Sequence, residues 1–166
     1  MLASLPIVLF PALMILAGVT DALSYRIPNW LTVAIALLFW PIAILNGMPG
    51  GVLLWHAVTG VALLAIGFGL FAAGVFGGGD AKLMAAAGFW FGWPVAMNFL
   101  VITALAGGAL AIVMALWSAL QLDQEMRGHT WIERWKNKKL DVPYGIAFAA
   151  GAVIAFPGSW WWKLAS

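Results

Sequence analysis

The 166-residue sequence has few charged residues and no cysteine. Only 8% of its residues are charged, against about 25% in a typical soluble domain, and 64% are hydrophobic. The absence of cysteine excludes disulfide bonds, a cysteine nucleophile and thiolate metal ligands. A formal net charge of +2 is too small to indicate a nucleic-acid-binding protein, so none is expected as a partner. The composition therefore predicts a membrane protein.

Six apolar stretches are candidates for crossing a hydrocarbon core of about 30 Å, at about 1.5 Å per helical residue. They cover approximately residues 2–20, 30–46, 52–76, 81–93, 95–122 and 142–156. We therefore predict an all-α, polytopic membrane protein that forms one transmembrane domain over residues 1–166. The first stretch lacks a basic segment before it, so we expect a retained span rather than a cleaved signal. The fourth is short, which predicts that its start lies below the membrane surface or that the bilayer thins there.

The basic residues give the orientation of these spans. The polar segments after the first, third and fifth spans carry all of them except Lys163, namely Arg26, Lys82, Arg127, Arg134, Lys136, Lys138 and Lys139. By the positive-inside rule these odd-numbered loops are predicted to be cytoplasmic and both termini external. The only two histidines, His56 and His129, then lie on opposite sides of the membrane. We expect no metal site and no other cofactor.

Two of the acidic residues lie where a charge is costly. Asp21 ends the first span and Asp80 opens the fourth, both at the predicted cytoplasmic face. The other acids lie in or beside the polar segment 123–141, where water reaches them: Asp123, Glu125, Glu133 and Asp141. Two carboxylates that share one site do not both ionise, so one is ionised and the other protonated. Because this division suits peptide hydrolysis, we predict a membrane aspartic protease.

Simpler structural roles are open for the same residues. Asp21 could mark a helix end that meets water, and Asp80 could cap a helix. For Lys82 we prefer an amine that reaches toward the lipid headgroups over one that acts in the site. The glycines 77–79 could form an ordinary turn, or could adopt positive φ angles and let an extended substrate backbone approach Asp80.

Aromatic residues are predicted to anchor the protein at the membrane interfaces. Trp90 and Trp93 stand at the end of the fourth span, before Pro94, and Trp160–Trp162 stand beyond the sixth. The polar segment 123–141 mixes tryptophan with basic residues, and we prefer a contact with anionic lipid for it over a role in positioning the substrate.

Three short motifs resemble those of the type IV prepilin peptidase family, which are G-x-G-D-type membrane aspartyl proteases. In the first motif, Asp21 is followed after five residues by Ile27, Pro28 and Asn29. In the second, Gly77, Gly78, Gly79 and Asp80 match G-x-G-D and continue to Lys82 and Leu83, as in the G-D-x-K-L form. In the third, Pro143, Tyr144 and Gly145 are similar to a late P-Y/F-G element. The three motifs occur in the expected order over most of the chain.

The resemblance implies that Asp21 and Asp80 are the catalytic pair and that the other motif residues bind substrate or shape the site. It implies cleavage of the leader peptide of type IV prepilins, after a glycine, at the cytoplasmic face of the bacterial inner membrane. The expected partners are prepilin precursors and membrane lipids. Larger family members add a cysteine-containing loop and a methyltransferase activity, whereas this chain resembles the compact, peptidase-only branch of Flp/Tad-type pili and should have no separate soluble or methyltransferase domain.

Two alternatives remain open at this point. One is a non-enzymatic transporter or pilus-assembly subunit that uses the acids for proton or cation passage, although the predicted outer half of the membrane contains no acid. The other is an intramembrane protease of the G-x-G-D type that acts on different proteins.

Overall fold

The computed structural model describes residues 4–119 and 142–165, and this part of the chain contains seven α-helices and no strand. The helices are α1 (Leu5–Ser24), α2 (Asn29–Leu45), α3 (Gly50–Ala72), α4 (Gly78–Phe91), α5 (Val95–Ala119), α6 (Tyr144–Ala155) and α7 (Trp160–Ala165). A 3-10 turn, Phe156–Gly158, joins α6 to α7. The all-α prediction is confirmed. The predictions made for the segment 123–141 lie outside the described residues.

Three of the helices are long and apolar enough to cross a membrane, namely Leu5–Ser24, Gly50–Ala72 and Val95–Trp117. The helices Asn29–Leu45 and Tyr144–Gly158 are apolar but shorter. Large apolar side chains point away from the protein, among them Leu105, which is 70% exposed, and Val8, which is 69% exposed. Such a surface suits contact with lipid, and the prediction of a membrane protein is confirmed.

Helix α4 lies at the centre of the described bundle, in contact with α2, α3, α5 and α6. It has 14 residues, which makes it about 21 Å long. Its sequence is rich in alanine and glycine, and these small residues allow close helix packing. A Cβ added at Gly67 of α3 would lie 3.0 Å from the Cα of Ala81, and one added at Gly88 would lie 3.1 Å from the Cα of Gly60. Helices α3 and α4 therefore touch along their backbones.

The core beside α4 is aromatic, and it includes two tryptophans that we predicted at the membrane interface. Trp90 and Trp161 are fully buried. The indole N–H of Trp90 donates to the carbonyl of Ile35, and that of Trp161 donates to the carbonyl of Trp90, both at 2.8 Å. The interfacial prediction is wrong for both rings, because their N–H groups find protein partners. Trp93, by contrast, is 58% exposed.

Several element boundaries differ from the predicted ones. Helix α1 continues past residue 20 to Ser24, so that Asp21 lies inside the helix. Pro28 precedes α2 in an extended conformation, and Asn29 is the first residue of that helix. Helix α4 begins at Gly78 and ends at Phe91, where Gly92 takes a φ of +59°.

Candidate active site

A cavity of about 340 Å³ lies where the end of α1 meets the starts of α4 and α6. It is lined by Asp21, Tyr25, Val75, Gly77, Asp80, Val142 and Tyr144. The two acids that the sequence singled out are thus brought to one cavity. The cavity size is at the lower end of the usual range of ligand pockets, about 300–1,000 Å³.

Asp21 lies in the last turns of α1 and is only 6% exposed. Its Oδ2 accepts a hydrogen bond from the backbone N–H of Gly145 at 2.7 Å. Gly145 is the second residue of α6, and the first amides of a helix have no partner within the helix. The start of α6 therefore supplies a donor that the buried carboxylate needs. Asp21 is not a helix end that meets water.

This contact requires a glycine at position 145. A Cβ there would lie 2.6 Å from the Cβ of Asp21 and 2.9 Å from its Oδ2. Helices α1 and α6 are equally close one turn earlier, since a Cβ at Gly18 would lie 2.9 Å from the Cβ of Ala149. Small residues therefore bring the two helices together and hold the first acid against the third motif.

Asp80 is half-buried and lies in the first turn of α4. Its Oδ2 accepts a hydrogen bond from the backbone N–H of Gly77, the residue that precedes the helix, at 3.2 Å. A carboxylate in a first turn is stabilised by the free amides and the dipole of the helix. Asp80 thus has a capping contact, but as the third residue of the helix rather than as its N-cap.

The glycines before Asp80 do not have the predicted positive φ angles. Among the described residues, the glycines with positive φ are Gly47, Gly74 and Gly92. Gly78 and Gly79 are helical, and a Cβ at Gly79 would lie 3.2 Å from the Cβ of Ile27. The glycine run therefore permits close packing around the start of α4, and Gly77 contributes to the cavity wall.

Asp21 and Asp80 both line this cavity. In residues 4–119 and 142–165, each of them accepts a hydrogen bond at Oδ2 alone. A pair of acids placed in this way can share one proton.

The rest of the first motif lies beside α4 rather than in the cavity wall. Ile27 is 8% exposed and packs on Gly79, and Pro28 leads into α2. The side-chain oxygen of Asn29 accepts a hydrogen bond from the Lys82 ammonium at 2.8 Å. Lys82 is exposed, but its amine has a protein partner, which the preference for lipid headgroups did not anticipate. These residues join the start of α2 to the start of α4.

In the third motif, Tyr144 lines the cavity and Gly145 donates a hydrogen bond to Asp21. The ring of Tyr144 lines the cavity and packs on Phe76, with ring centroids 5.5 Å apart. A Cβ at Gly107 of α5 would lie 2.9 Å from the same ring, so a glycine leaves room for it. Pro143 is buried and directly precedes α6.

Three residues of the cavity wall, Tyr25, Val75 and Val142, were not predicted from the sequence. Val142 directly precedes the third motif, and Tyr25 lies four residues after Asp21, where its backbone N–H donates to the Asp21 carbonyl at 2.7 Å. Tyr25 takes φ 53° and ψ 32°, the left-handed region. For a residue other than glycine this conformation costs about 1–2 kcal/mol. Tyr25 could have been predicted to lie near the site, because it follows Asp21 by about one helical turn.

The comparisons with known proteins agree with these motifs. Residues 8–112 match the model of the type IV leader peptidase family, which is more than half of the chain. The chain belongs to the type IV leader peptidase family. The match includes Asp21 and Asp80, whereas the third motif lies beyond its end. Searches of curated proteins and of solved structures gave no match. The suspected family is confirmed, and membership in a leader peptidase family implies a hydrolase with a protein substrate.

Proposed function

We propose that this member of the type IV leader peptidase family is an aspartic endopeptidase in the bacterial inner membrane. It removes the leader of type IV, Flp-like prepilins at the cytoplasmic face and cleaves after a glycine. The observation that carries the proposal is the cavity that Asp21 and Asp80 share, although one acid belongs to α1 and the other to α4.

The two acids divide the work of hydrolysis between them. One carboxylate is ionised and takes a proton from a water molecule, whose oxygen attacks the carbonyl carbon of the scissile peptide bond. The other carboxyl is protonated and donates to the carbonyl oxygen. The resulting tetrahedral intermediate collapses as a proton passes to the nitrogen and the C–N bond breaks. The products are a leader with a new carboxylate and a mature chain with a new amine.

The substrate reaches the acids as extended backbone. A helix engages its carbonyls in internal hydrogen bonds, so the peptide bond to be cleaved must lie outside helical structure. The short helix α4 starts with Asp80 in its first turn, which suits a site near the membrane surface. A cavity of about 340 Å³ has room for a short stretch of peptide rather than for a helix.

The remaining motif residues position the pair. Gly145 holds Asp21 through its amide, and Gly77 holds Asp80 in the same way. Gly78 and Gly79 allow Ile27 and α3 to approach the start of α4. Pro28, Asn29 and Lys82 fix the link between α2 and α4, while Pro143 and Tyr144 set the start of α6.

The test is co-expression with candidate pilin precursors and measurement of leader loss by mass. We expect cleavage by the wild type and none by Asp21→Asn or Asp80→Asn, because an amide can neither accept the proton from water nor donate one to the substrate. Ser24→Ala, which removes an exposed hydroxyl from the same end of α1, is the control and should cleave normally. The amount of each variant in the membrane fraction shows that it inserts. Full cleavage by either Asn variant would refute the assignment.

The same experiment separates the alternatives. Cleavage of unrelated membrane proteins, dependent on Asp80 and without any effect on prepilins, would indicate an intramembrane protease of broader range. Acid-dependent proton or cation flux in proteoliposomes, with no precursor shortened, would indicate a transporter or an assembly subunit.

A further inference from the structure

We propose that Tyr25 is a specificity-determining residue whose ring limits the size of the substrate residue next to the scissile bond. This inference rests on the proposed function. It concerns a side chain that lies outside the three motifs.

The position of Tyr25 relative to the catalytic pair is fixed by the helix. Its backbone N–H donates to the carbonyl of Asp21 at 2.7 Å, so the two residues are separated by one turn at the end of α1. Both residues line the cavity that also contains Asp80. A substrate that reaches the two carboxylates therefore passes close to Tyr25.

The backbone at this position favours a different residue. Tyr25 is the one non-glycine residue with positive φ in residues 4–119 and 142–165, and the other positions with positive φ are Gly47, Gly74 and Gly92. A residue that ends a helix in the left-handed conformation is usually glycine or asparagine. A bulky aromatic in this conformation at a candidate site is an observation that points to function rather than to stability.

The other walls of the cavity explain what the ring would do. They combine Gly77, which has no side chain, with the branched side chains of Val75 and Val142 and the ring of Tyr144. Extra atoms on a substrate residue placed between these walls would meet the ring. A hydrophobic pocket commonly discriminates a single methylene by about 10- to 200-fold. A filter of this kind would admit glycine before the scissile bond and reject larger residues.

The experiment uses three precursors that carry glycine, alanine or valine before the scissile bond. The enzymes are the wild type, Tyr25→Phe, Tyr25→Asn and Tyr25→Gly, and the readout is the ratio of kcat/KM for glycine to that for alanine or valine. We expect Tyr25→Phe to keep the wild-type ratio, because the ring remains. Tyr25→Asn and Tyr25→Gly should lower the ratio by about tenfold or more, because the wall is gone.

The two small replacements also separate specificity from folding. Both tolerate the left-handed conformation, which offsets part of the packing lost with the half-buried ring, so both should remain folded in detergent, as thermal unfolding would show. Asparagine controls for the added flexibility of glycine. A uniform fall of kcat/KM for all three precursors, with an unchanged ratio, would overturn the inference and leave Tyr25 a structural residue. An unchanged ratio with unchanged activity would overturn it as well.

The same experiment tests the proposed function independently of the role of Tyr25. If the wild type cleaves the glycine precursor and Asp80→Asn does not, the proposed function stands whatever the Tyr25 variants do. If the wild type cleaves none of the three precursors, both proposals are wrong.

Discussion

The contact between Gly145 and Asp21 gives the sharpest quantitative prediction, through the variant Gly145→Ala. The added methyl would lie 2.6 Å from the Cβ of Asp21, about 1 Å closer than a favourable carbon–carbon contact. Helices α1 and α6 cannot separate freely, because they are also in tight contact at Gly18 and Ala149. We therefore expect the Asp21 side chain to be displaced by a large part of 1 Å.

The expected effect on activity is larger than that on stability. A displacement of about 1 Å in a catalytic group commonly costs about 100-fold in rate. Overpacking costs about 1–3 kcal/mol of folding free energy. Replacing a helical glycine by alanine offsets up to about 1 kcal/mol of that cost. The Gly145→Ala variant should therefore remain folded while its kcat/KM for precursor cleavage falls by about two orders of magnitude.

The assay compares kcat/KM and thermal unfolding of purified protein in detergent micelles. Gly108→Ala is the matched control, since it is also a helical glycine and a Cβ there meets nothing within 4 Å. It should cleave as the wild type does. A folded Gly145→Ala variant with wild-type kcat/KM would show that the position of Asp21 against α6 does not matter for catalysis.

Two further predictions concern hydrogen bonds between helices. Trp161→Phe leaves the buried Trp90 carbonyl without its donor and should lower the free energy of unfolding by about 1–3 kcal/mol. The control Trp162→Phe changes an exposed side chain and should have little effect on the free energy of unfolding. Equal effects of the two variants on thermal unfolding would contradict the buried hydrogen bond. Lys82→Met and Asn29→Leu should each reduce kcat/KM, and the double variant should be no worse than either single one. Additive losses in that double-mutant cycle would show that the two residues act independently.

The fold class and the two acids that line the cavity could be predicted because lipid imposes simple rules. A chain in a bilayer must satisfy its backbone internally, so long apolar runs predict helices, and an acid beside such a run is conspicuous. Asp21 and Asp80 are conspicuous in this sense. The family resemblance then linked them to motifs that occur at fixed places in the sequence.

What could not be predicted depends on contacts between distant residues. Asp21 was read as the polar end of a span, because its partner Gly145 lies 124 positions later in the sequence. The glycines at 78 and 79 were expected to form a turn or to adopt positive φ angles, whereas they lie in the first turn of α4, close to Phe71 and Ile27.

The predicted position of Trp161 at the membrane interface was wrong for a related reason. That prediction used only the local sequence. In the structure, the 3-10 turn Phe156–Gly158 precedes α7, and the Trp161 ring in α7 packs against Trp90. Local patterns report where a residue could lie in a membrane, but not which other helix it meets there.

The long separation between Asp21 and Gly145 also has a consequence for biosynthesis. Chains emerge from the ribosome N-terminal end first, so α1 enters the membrane well before the start of α6 has been made. During that interval the Asp21 carboxylate lacks the amide that holds it. The hydrogen bond to Asp21 therefore forms only when most of the chain has been made, and a nascent or truncated chain that ends before Gly145 carries both aspartates without this contact.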